Sequence, residues 1–107
     1  MGVDVVLYKV EQRGTSPKGR RLVELAAVID PEDEFSRFCQ SSATPILSAI
    51  DPYGNRVFSK LDLDPLIEEL EMLRPAASDQ MRISQILALA TRCAHSSDLE
   101  ELHFQGD

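Results

Sequence analysis

Two cysteines and two histidines are the side chains of this chain best suited to nucleophilic or metal chemistry, and their spacing works against both. Cys93 and His95 lie two positions apart in a segment with helical periodicity, so they point about 200° from each other and cannot form a thiolate pair. Cys39 and Cys93 both fall on apolar stripes, where thiols are buried and inert. His95 and His103 stand eight positions apart, without the C-x-x-C or H-x-x-x-H spacing of a zinc site. The expected roles are local: His95 beside the last carbonyls of its helix, and His103 facing water next to Glu101. The acidic runs "DPEDE" and "LDLDP" are explained as helix starts, and no D-x-D-x-D-G loop points to calcium. There is no Gly-rich phosphate loop and no G-x-S-x-G elbow. Catalysis is therefore the lesser reading, with no catalytic residue, no metal ligand and no cofactor expected.

What stands out is charge. The formal net charge is −7, distributed as +2 over residues 1–29 and −9 over residues 30–107. Such a surface repels phosphate backbones and anionic lipid, so neither nucleic acid nor membrane is an expected partner. It can attract a basic protein. The candidate partner-binding surface joins a turn to an acidic helix face: Asp51, Tyr53, Asn55 and Arg56 from "DPYGNR", with Asp62, Glu68, Glu69 and Glu71 from the segment that follows. The plainer reading of the glutamates is a solvated helix face.

These residues need elements to position them. "VDVVLYKV" (3–10) is β-branched and apolar, a strand central in a sheet or covered on both faces. "EQRGTSPKGRR" (11–21) reads as a solvated loop, and "LVELAAVI" (22–29) fits helix and strand alike, with pairing to the first strand preferred. In "DPEDEF" (30–35), Asp30 is expected to cap a helix with Pro31 in its first turn, burying Phe35, Phe38 and Cys39. Asp51-Pro52-Tyr53-Gly54 fits a type I turn, and "RVFSKL" (56–61) a short strand. Asp64-Pro65 opens a helix over "LIEELEMLR" with Leu66, Ile67, Leu70 and Leu73 on its apolar side and Glu68, Glu69 and Glu71 away from it. Ser78 is expected to cap a helix over 79–95 whose stripe is Ile83, Ile86, Leu87, Ala90, Cys93 and Ala94. The alternation of "LEELHFQG" (99–106) makes a last strand with Leu102 and Phe104 inward.

The sum is one α+β domain over residues 1–107, a small, mainly antiparallel sheet with helices packed on one face. No basic, apolar leader and no long apolar run is present, and the cysteines do not form a disulfide framework, so the expected location is cytoplasmic.

The start "MGVDVVLY", the middle "DPYGNRVF" with "LIEEL", and the end "LHFQGD" together resemble small acidic bacterial proteins of the actinobacterial type. Those share a G-V-x-V strand, a central D-P-x-G turn and a terminal F-x-G-D. In size and charge the chain is more loosely similar to toxin-immunity proteins, a resemblance that implies an inhibitor acting by protein contact and transfers no catalytic residue. The leading expectation is a non-catalytic protein-binding domain, for which the looser resemblance implies the immunity type. The alternatives are a small-molecule binder or small enzyme with a pocket between sheet and late helices, and a homodimerisation module pairing through the first or last strand.

Overall fold

The computed structural model describes residues 2–12, 14 and 19–106. Strand β1 (Asp4–Gln12) takes the apolar N-terminal run and turns back into β2 (Arg20–Val28), which pairs with it antiparallel. The ambiguous 22–29 segment is thus a strand. Gln12 and Arg20 already pair, so β1 and β2 extend into the expected loop, of which residues 13 and 15–18 lie outside the described residues. The register slips between Leu7 and Tyr8, leaving Leu25 of β2 as the extra residue of a bulge.

Helix α1 (Glu34–Ser41) begins later than the sequence suggests. Pro31 and Glu32 form a turn, and Asp33 adopts a left-handed conformation (φ 62°), which an Asp tolerates better than most residues. Asp30 still caps the helix, but from a distance. Its buried carboxylate accepts the amides of Phe35 (3.0 Å) and Ser36 (3.0 Å), and also that of Val3 (3.1 Å) at the mouth of β1. Arg82 reaches the same carboxylate at 3.3 Å from the third helix. One side chain therefore joins strand, α1 and the distant helix.

After a 3₁₀ turn (Leu47–Ala49) the chain reverses at Asp51–Gly54, closed by the Gly54 amide on the Asp51 carbonyl, and enters the short strand β3 (Asn55–Phe58). Ser59 and Asp62 then form a capping box that leads through a 3₁₀ turn into α2 (Leu63–Leu73). Pro75 lies in a further 3₁₀ turn (Arg74–Ala76). Helix α3 (Gln80–His95) is capped by Asp79, whose carboxylate accepts the Arg82 amide at 3.0 Å, one residue beyond the Ser78 expected for that role. The chain returns as β4 (Glu100–Gln105).

All pairings are antiparallel and the strand order is β2-β1-β4-β3. β1 and β4 are the two inner strands, each hydrogen-bonded on both sides, so neither is available for the edge pairing expected of the first or last strand. Val3, Val5, Leu7, Phe58, Leu102 and Phe104 meet Phe35, Leu63, Leu66, Leu70, Ile83, Ile86 and Ala90 in one buried cluster. The architecture is α+β with the helices on one face of the sheet, as the alternating and 3-4 spaced patterns require. Among the described residues no helix is long and apolar enough to cross a membrane.

Candidate functional site

The apolar spacing of α2 decides which of its acidic groups can meet a partner. Leu63, Leu66 and Leu70 are fully buried, so Asp64, Glu68 and Glu71, at i, i+4 and i+7, share the opposite face and are exposed. Among the described residues none of these three carboxylates forms an ion pair. Two apolar side chains flank the row in sequence, Leu61 three residues before Asp64 and Met72 four after Glu68, and they are 92 % and 61 % exposed.

Glu69 does not belong to this row. It is buried, and its carboxylate accepts the amides of Leu47 (2.9 Å) and Ile46 (3.0 Å). Burial alone would raise its pKa. The nearby Thr44 hydroxyl, whose own geometry falls short of a hydrogen bond, and the Leu47 and Ile46 amides outweigh that and hold it below the ordinary carboxylate value. Glu69 is thus the clasp that fixes the 44–47 segment to α2. The signal was in the spacing, since position 69 lies three residues after Leu66 and four before Leu73, the steps of the apolar stripe itself.

The remaining predicted residues divide. Asp62 is exposed but occupied, accepting the amide (3.2 Å) and hydroxyl (3.0 Å) of Ser59. Asp51 accepts the Tyr53 amide at 2.9 Å and so shapes its own turn. Tyr53, 69 % exposed, lines an open cleft of about 300 Å³ with Asp33, Ser36, Arg37, Gln40 and Pro52. That set belongs to α1 and the turn and contains no residue of α2. Asn55 is exposed on β3, and the Arg56 guanidinium lies over the Phe58 ring, 4.9 Å from its centroid. Of these eight residues Glu69 is buried and the other seven are exposed. Glu69 thus belongs neither to the exposed row of α2 nor to the Tyr53 cleft.

A second cluster, on the sheet face opposite the helices, went unread in the sequence. The His103 ring stands edge-on to Tyr8 with centroids 4.7 Å apart, and its Nε2 is 3.1 Å from Glu101 Oε1. Arg20 engages the other oxygen of Glu101, and Gln105 donates to the Tyr8 hydroxyl at 3.0 Å. The outward direction of His103 is as expected, but its side chain is only 13 % exposed, sheltered in this network rather than open to water. Both Glu101 oxygens are engaged, so the group ties β1, β2 and β4 together.

No family model, curated protein or solved structure matches the chain. Its chemistry must be taken from its own groups. Burial and the Asp30 charge push the Cys39 thiol up to about 12; burial with Glu100 and Glu101 pushes Cys93 to about 11. Neither is a thiolate near neutral pH. Among the described residues no cluster of three His, Cys, Asp or Glu could hold a metal ion. Between the sheet and the late helices, Phe58, Phe104, Leu66, Leu70, Ile86 and Ala90 are all at most 1 % exposed and packed together.

Proposed function

We propose that the chain is a non-catalytic protein-binding domain that docks a basic partner on the outer face of α2. The observation that carries this reading is the unpaired row Asp64, Glu68 and Glu71 set between Leu61 and Met72. Apolar side chains supply area to remove from water, and the carboxylates select a cationic surface and speed its approach. An inhibitor of the immunity type is one form such a domain takes.

The test is the double reversal Glu68→Lys with Glu71→Lys, measured against a partner captured from the source cell. Exposed and unpaired, both positions tolerate the change within about 0.5 kcal/mol of stability. Affinity is expected to fall at least tenfold and to lose most of its dependence on salt. A partner that binds the double variant with unaltered affinity and salt response does not use this surface.

A further inference from the structure

β2 is a free edge. It pairs with β1 on one side only, and from Arg20 to Glu24 every residue except the half-buried Val23 is exposed. Natural sheet edges are blunted by proline, by short length, by bulges or by charged side chains. The charges of β2, Arg20, Arg21 and Glu24, are of both signs and so can pair with a second copy. β2 runs for nine residues without proline, and its one irregularity, at Leu25, leaves Arg20–Glu24 as a regular run.

That run, "RRLVE", is complementary to itself. Read against a second copy in antiparallel register about Leu22, it places Arg20 opposite Glu24, Arg21 opposite Val23, and Leu22 opposite Leu22. Arg20, Leu22 and Glu24 all lie on the sheet face away from the helices, since their partners on β1 are Gln12, Val10 and Tyr8. Two Arg–Glu pairs would thus flank a Leu–Leu contact on one face, and Leu22, now 40 % exposed, would be covered. Arg20 already contacts Glu101 through Nη2. That contact crosses β1 toward β4, so pairing with the Glu24 of a second copy turns the Arg20 side chain toward the edge and exchanges one carboxylate partner for another.

We infer that two copies of this chain associate through antiparallel β2–β2 pairing centred on Leu22, extending the two four-stranded sheets into one of eight. The contact is independent of the acidic face of α2 and leaves that face open in both copies.

Sedimentation velocity on the full chain over a concentration series should show reversible dimerisation. Glu24→Arg, which sets Arg against Arg20 twice, should weaken the dimer about tenfold or more, as should Arg20→Glu. An equimolar mixture of these two variants restores both opposite-charge pairs in the mixed dimer and should recover association. A Leu22→Cys variant gives an independent register readout under mild oxidation, because the native cysteines are buried. It should form a disulfide-linked dimer, whereas Glu24→Cys should remain largely monomeric. A wild-type chain that stays monomeric at the highest concentration reached would overturn the inference. So would a dimer indifferent to Glu24→Arg, a mixture that fails to associate, or equal crosslinking at positions 22 and 24. Because Arg20→Glu also disturbs the Glu101 contact, Glu24→Arg and the cysteine pair decide the matter if that variant does not fold.

Discussion

Replacing Glu69 by alanine removes the acceptor for two amides at once. The Leu47 amide, on a fully buried residue, accounts for the larger part of the loss, and the Ile46 amide, on a half-buried one, for the smaller. A buried donor left unpaired costs about 1–3 kcal/mol, so Glu69→Ala should destabilise the fold by roughly 3 kcal/mol. In a domain of this size that is a fall in Tm of about 12 °C or more. Glu69→Gln keeps one carbonyl oxygen in place and should cost about 1 kcal/mol, the difference between charged and neutral acceptors. Glu68→Ala, one position away and exposed, should stay within about 0.5 kcal/mol. The assay is urea unfolding followed by circular dichroism at several pH values. Because the folded pKa of Glu69 is depressed, its contribution is complete above the unfolded carboxylate pKa and disappears as pH falls through the folded value. The gap between wild type and Glu69→Gln should therefore be widest near neutrality and close in acid. Equal stability of Glu69→Ala and Glu68→Ala at pH 7, or a Glu69→Gln gap that widens in acid, would refute the clasp.

Other expectations follow from the same geometry. Asp30→Ala should cost about 4 kcal/mol in urea unfolding, because it strands the Phe35, Ser36 and Val3 amides and leaves Arg82 without its buried partner. Neither Cys39 nor Cys93 should react with a thiol reagent at pH 8 until denaturant is added, and prompt labelling of the native protein would contradict their burial. In Gly106→Ala the new methyl would lie 2.4 Å from the Pro52 carbonyl oxygen and 2.7 Å from that of Gly54, so melting should show a loss of about 1–3 kcal/mol. An unchanged Tm there would mean that the 2.7 Å bond from Gly106 to Gly54 does not hold the last strand to the turn.

Periodic features were legible in the sequence and singular ones were not. The α3 stripe through Ile83, Ile86, Leu87, Ala90 and Cys93 is buried as its spacing demands, and β4 alternates as written, with Leu102 and Phe104 inward. Local turn chemistry was likewise readable in Asp51–Gly54. What escaped was decided by single long-range bonds. Asp30 caps α1 across a turn because it also serves Val3 and Arg82, a role that no local motif encodes. The helical steps from Leu66 and to Leu73 already turn Glu69 toward the core, but its task of accepting two amides of a loop 22 residues away or more is not in the spacing. Tyr8 meets His103 only because β4 enters the sheet beside β1, and that strand order depends on the packing of the whole chain. Of the candidate surface, Glu68 and Glu71 were legible because helical spacing places them. Their apolar neighbours Leu61 and Met72 were not, since exposure of a leucine is not written in its identity.

The position of β4 has a consequence for biosynthesis. It follows β1, β2 and β3 in the chain, yet it lies between β1 and β3 and, among the described residues, supplies the only pairing β3 has. While the ribosome is still translating, the nascent chain can form the β1–β2 hairpin and the helices. β3 then waits without a partner, and one side of β1 stays open until residues 100–105 emerge. Closure of the sheet is therefore expected to be an all-or-none event gated by the arrival of β4. A stalled or shortened chain would present an unfilled slot bordered by apolar Val5, Leu7 and Phe58, the kind of surface that quality-control factors recognise.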